Sequence, residues 1–177
     1  MTPERERPEP DHISFEEVVS NAKEVMLREG QHLPLVVLET NSKVLVSHIP
    51  DMPLTYGERV ELMQFLGQFV AKSGSVGRLE QVFMVSEGWL RETKDDQSEL
   101  SPSQDPNRRE VLIISGIQMK ERKKRLELLQ IIRDADERVT RLEEFLPEGQ
   151  KREEIVEIPL LEAFVQGFQT AFRTKYN

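Results

Sequence analysis

Apolar residues along this chain recur with two different periods, and the switches between them mark out its elements. Phe15, Val18, Val19, Ala22, Val25 and Met26 repeat every three to four positions, as one face of a helix requires. Ser14 and Glu17 form the S-x-x-E pattern of a capping box just ahead of that run, and Gly30 stops it. The period then shortens. LPLVVLET (33–40) and KVLVSHI (43–49) are rich in β-branched residues and read as a hairpin turned at Asn41-Ser42. A second helical stretch runs from Thr55 to Lys72, with Val60, Met63, Phe65, Leu66, Phe69 and Val70 on a broad apolar face. The SGSVG segment (73–77) that follows reads as a flexible linker. It lacks the lysine and the glycine spacing of a phosphate-binding loop.

Two further strands are predicted at 79–90 and 109–118, around a polar connector at 91–107 rich in Ser, Asp and Pro. In the first of them Val82 and Met84 alternate with Phe83 and Val85, so both faces are apolar and the strand belongs in the middle of a sheet. The stretch 120–146 supports two readings. Leu128, Ile132, Ala135, Val139, Leu142 and Leu146 would make a helical seam. Alternatively, 125–133 and 138–145 are strands joined by the turn Asp134-Ala135-Asp136-Glu137. The β-branched residues in both arms tip the balance to the hairpin. A last helix, 160–176, starts after Pro159 and aligns Leu160, Leu161, Phe164, Val165, Phe168 and Phe172.

The order helix, hairpin, helix, four strands, helix predicts an α+β fold. It would have a mainly antiparallel sheet of about six strands and two or three packed helices gathered on one face. One domain is expected over 13–177, preceded by a disordered tail at 1–12, where charge and proline dominate.

Composition narrows the function classes. With 37% hydrophobic and 32% charged residues in 177, the chain can build a core beneath a strongly solvated surface. A net charge of −8 argues against a general nucleic-acid or anionic-membrane binder. The chain has no cysteine, which removes disulfides, thiolate metal ligands and a thiol nucleophile. No apolar run is long enough to span a bilayer, and a cytoplasmic, soluble protein is expected.

Candidate chemistry concentrates around the 91–107 connector. If its flanking strands pair, Glu87 and Trp89 come near Arg108, Arg109 and Glu110, giving a carboxylate, an indole and guanidinium groups on one patch. With Ser103 and Asp105 these are the candidate ligand-binding residues. A plainer reading has Trp89 capping the core and Glu87 pairing with an arginine across strands. Ser103 has neither a glycine elbow nor a nearby histidine, and Asp105-Pro106-Asn107 is a turn former. His12, His32 and His48 lack metal-ligand spacing. His32 and His48 could still meet across the first hairpin with Glu39 or Asp51. The basic run 120–125 (KERKKR) could contact phosphates, although a solvated turn explains it as well.

No catalytic residues, cofactor or metal are expected. The leading functional expectation is a non-catalytic module that binds another protein or a second copy of itself. A small-molecule binder or enzyme built on residues 87–110 is the alternative, and nucleic-acid contact through 120–125 is a minor third.

Overall fold

The computed structural model describes residues 12–90, 108–145 and 157–176. Helix α1 (Phe15–Glu29) begins with the predicted capping box: the Glu17 amide donates to the Ser14 hydroxyl at 3.2 Å, and the Ser14 amide donates back to the Glu17 carboxylate at 2.7 Å. Strands β1 (Leu35–Thr40) and β2 (Val44–His48) form the first hairpin, and Thr55 and Glu58 cap helix α2 (Tyr56–Lys72) in the same reciprocal way. Then come β3 (Leu79–Leu90), β4 (Arg109–Gln118), β5 (Lys123–Arg133), β6 (Val139–Glu144) and α3 (Pro159–Tyr176). The stretch 120–146 is therefore the hairpin and not the helix. Asp134 makes its turn by accepting the amides of Asp136 and Arg138, both at 2.9 Å.

All six strands lie in one antiparallel sheet, ordered β2-β1-β3-β4-β5-β6. This is the α+β fold expected, with β3 inside the sheet. The helices, however, do not gather on one face. Phe83 and Val85 of β3 pack with Leu112, Ile114, Leu129 and Ile131 under Phe15, Val18, Ala22 and Met26 of α1. Val82 and Met84 pack on the opposite face with Val36 and Leu38, under Met63 and Val70 of α2 and Leu161, Phe164 and Phe168 of α3. Apolar residues on both sides of β3 need a cover on each, and one helix layer could not supply both.

The 73–77 segment is also a correction. Instead of a loose linker it carries Val76, which is buried in the α2–α3 core, and it grips the tip of the β1–β2 hairpin. Ser42 donates its hydroxyl to the Val76 carbonyl at 2.9 Å, and the Arg78 amide donates to the Asn41 side chain at 2.8 Å. Gly77 sits between them at φ 77°, where a Cβ would lie 2.3 Å from Asn41 Oδ1.

Helices α2 and α3 touch backbone to backbone. A Cβ on Gly67 would stand 2.1 Å from the Phe164 carbonyl oxygen, and one on Gly167 would stand 2.0 Å from that of Gln64. Neither neighbour is a flexible side-chain tip that could move aside. Gly67→Ala should therefore force the two helices apart and cost about 2 kcal/mol or more despite alanine's better helix propensity. Urea unfolding of this variant checks it; a stability equal to or above that of the parent would refute the close packing.

Candidate functional site

The face of the sheet that α1 covers carries a polar cluster at each end of β3. The first is the one anticipated around the connector. In the β3–β4 register Glu87 faces Leu112, Trp89 faces Glu110, and Leu90 faces Arg109. Side chains alternate between faces, so Glu87, Trp89 and Glu110 share the α1 face while Arg109 belongs to the other. The Arg108 guanidinium lies 4.3 Å over the Trp89 ring, a cation–π stack in which the indole remains 41% exposed. Trp89 therefore does not cap the core.

Arg133, which the sequence reading passed over, organises this end. It donates two parallel hydrogen bonds to Glu110, at 2.8 and 2.6 Å, and one each to the carbonyls of Gly30 and Glu137, both at 3.1 Å. One guanidinium thus ties β4, the end of α1 and the β5–β6 turn together. Its hydrogen bonds to Glu110 hold it above its ordinary pKa, with Glu87 adding to the attraction. Glu87 itself accepts the backbone amide of His32. The inward position of Arg133 could have been read from its spacing with Leu129 and Ile131, four and two residues earlier on the same face.

The six candidate residues consequently separate. Glu87, Trp89 and Arg108 share one end of the α1 face. Arg109 lies on the opposite face, donating to Gln130 at 3.2 Å and standing 5.2 Å over the Phe145 ring. Ser103 and Asp105, with the rest of the 91–107 connector, lie outside the described residues, as do residues 1–11 of the expected tail.

At the other end of β3 is a cluster that the sequence reading missed. Glu39 and Gln81 are buried and pair across β1 and β3. Gln81 donates to Glu39 at 2.6 Å, the Ile13 amide donates at 3.1 Å, and His12 Nδ1 approaches at 3.0 Å. An ionised carboxylate only accepts, so the proton of that last bond is on His12. Burial pushes the Glu39 carboxyl up, but the donors from His12, Gln81 and Ile13 together bring it below its ordinary value. His12 is raised, chiefly by its hydrogen bond to Glu39. Far from lying in a tail, His12 pins the entry to α1 onto the sheet. A groove of about 700 Å³ opens beside the cluster, lined by both signs of charge, including Arg78, Lys120 and Glu121. A glutamate at an inward position of an apolar strand was the signal for this cluster.

The histidine pairing considered from sequence does not form: His48 lies opposite Leu35, and His32 is buried with its Nδ1 2.9 Å from the Leu33 carbonyl. Among the described residues no three His, Asp or Glu side chains gather as a metal site. The basic 120–125 run is split. Residues 119–122 form the β4–β5 turn. Beyond it, Lys124 pairs with Glu162 of α3, and Arg125 pairs with Glu16 of α1 while stacking 4.3 Å over Phe15. Neighbouring residues on β5 thus lash the two helix layers from opposite faces. No described helix is long and apolar enough to cross a membrane.

The geometry defines a class of small α+β proteins in which one antiparallel sheet lies between two helix layers, with its polar clusters bonded inward. The family model described as bacteriophage lambda protein ea47 matches residues 2–172, and the chain belongs to that family. No curated protein and no solved structure matches it.

The Glu39–His12 link gives a pH signature. The raised His12 contributes stability that is complete below its ordinary value of 6.5 and is lost as pH rises through the raised value. The lowered Glu39 contributes stability that is present above its ordinary 4.5 and is lost as pH falls through the lowered value. The link is strongest between those two ordinary values, so His12→Ala should lower Tm most near pH 5.5, with the difference shrinking by about pH 8 and in high salt. A Tm difference that does not change with pH would contradict the ion pair.

Proposed function

We propose that this phage-family chain is a non-catalytic interaction module that docks a partner protein on the outer face of α2. The observation that carries this reading is the stacked pair Phe65 and Phe69. Their ring centroids are 6.3 Å apart, one helical turn apart in sequence, and the side chains are 60% and 59% exposed. Leu62 and Leu66 continue the surface as half-buried neighbours. Large apolar side chains scattered singly on a surface are ordinary, but a contiguous aromatic patch is what a partner's apolar surface buries.

Exposed Glu58 and Glu61 border the patch, so the matching partner has an apolar centre with a basic rim. A binding role fits the polar clusters better than a catalytic one does. Glu39, Glu87, Glu110 and Arg133 are all engaged with donors or acceptors of the chain's own elements, where they hold the layers together.

The test uses Phe65→Ser combined with Phe69→Ser. The exposed rings support little of the fold, so stability should change by no more than about 0.5 kcal/mol. A photo-crosslinker at position 65 should join a second protein of the stated character. Purified, that protein should bind the double variant at least ~10-fold more weakly, as loss of an aromatic anchor predicts. Crosslinking solely within the same chain, or a large drop in Tm, would mean that the rings are covered by this protein itself and would overturn the reading.

A further inference from the structure

The two edges of the sheet are built differently. β6 reads VTRLEE and carries Arg141, Glu143 and Glu144, the kind of charged edge that discourages another strand from pairing. β2 reads VLVSH, with no Lys, Arg, Asp, Glu or Pro, and it pairs with β1 without a bulge. Its close neighbour among the described elements is β1, while α1 lies nearest β3, β4 and β6. Val46 at its centre is 57% exposed.

Backbone bonding identifies which groups of β2 are turned away from β1. The Thr40 amide donates to the Lys43 carbonyl at 2.9 Å, and the Ile49 amide donates to the Pro34 carbonyl at 2.8 Å. These bonds bracket a register that sets Leu38 against Leu45 and Val36 against Ser47. Hydrogen-bonded pairs recur at every second residue of an antiparallel ladder, so Lys43, Leu45, Ser47 and Ile49 point their backbone groups at β1. Val44, Val46 and His48 point theirs outward.

We infer that a second copy of this chain pairs along β2, antiparallel, about a two-fold axis at Val46. The register follows from the bonding. Outward groups must meet outward groups, and the arrangement centred on Val46 engages all three residues. Val46 exchanges bonds with Val46 of the second copy, and Val44 does so with its His48, once on each side of the axis. The contact is isologous and closes at two copies, and the two sheets become one. The half-exposed valines meet as a cross-strand apolar pair. Lys43 of one copy comes opposite Ile49 of the other, two residues from exposed Asp51, so opposite charges meet at both ends. A pairing this short buries less than a standard interface, and its dissociation constant should be on the order of 10–100 μM. The surface is separate from the α2 face, and either can fail without the other.

The chain's lack of cysteine makes the test direct. Val46→Cys places a lone thiol at the axis, where an antiparallel hydrogen-bonded pair sets Cα atoms about 5.5 Å apart, within disulfide reach. Under oxidised glutathione, V46C should form covalent dimer at least ~10-fold faster than Thr140→Cys on the charged β6 edge. Light scattering of the parent chain should show its mass rising toward that of a dimer with concentration. Val46→Lys, which sets two like charges face to face, should weaken association at least ~10-fold at unchanged Tm. A strict monomer at about 1 mM, some tenfold above the expected range, would overturn the inference. So would V46C crosslinking no faster than T140C, or a dimer that survives V46K and is lost in the Phe65/Phe69 variant.

Discussion

Everything in this structure depends on β3 being buried from both sides. Phe83 and Val85 face α1, Val82 and Met84 face α2 and α3, and all four are almost fully buried. Each such side chain contributes about 1.5–3 kcal/mol relative to leaving it in water. A one-residue slip of β3 would exchange the two sets and present each core with side chains shaped for the other, so the register of the sheet is set here. The remaining devices hold the cover on: Lys124 and Arg125 tie α3 and α1 to β5, Arg133 ties the end of α1, and Glu39 with His12 ties its beginning. The ties made by Lys124 and Arg125 account for two of the five basic residues in the 120–125 run.

Elements whose physics is local were legible in the sequence. The capping box at Ser14, the Asn41-Ser42 turn and the Asp134 turn are each decided within a few residues, and the corresponding helices and hairpins lie where the periodicity puts them. The layer assignment failed because chain order does not say which face a helix covers. The two-sided apolar pattern of β3 contained that information and implied a cover on both faces. The 73–77 segment was misjudged for a related reason: its small residues look like a linker until Asn41 and Ser42, more than thirty positions earlier, supply its hydrogen bonds.

The candidate site was legible in part. Arg108 and Trp89 meet, with Glu87 on the same face of β3, because paired strands return the ends of a loop to one place. Arg109 leaves the group through the strict alternation of a strand, which residue type alone cannot signal. Arg133 and Glu39 were hidden because a partly or fully buried charged residue has the same letter as a solvated one. What marks them is position, a charge at an inward step of an otherwise apolar strand, and both turn out to fasten layers together.

Among the described residues, the outer face of α2 and the uncharged edge of β2 carry exposed apolar side chains, whereas the opposite edge of the sheet is guarded by charge. The central claim is that the sheet does not end at β2 in solution. Residue-resolved amide hydrogen exchange at low and high protein concentration tests it most directly. The Leu45 and Ser47 amides, bonded to β1, should be protected at both concentrations, while those of Val44, Val46 and His48 should become protected only as concentration rises. If those three amides exchange as open groups at every concentration, the edge is free and the claim is wrong.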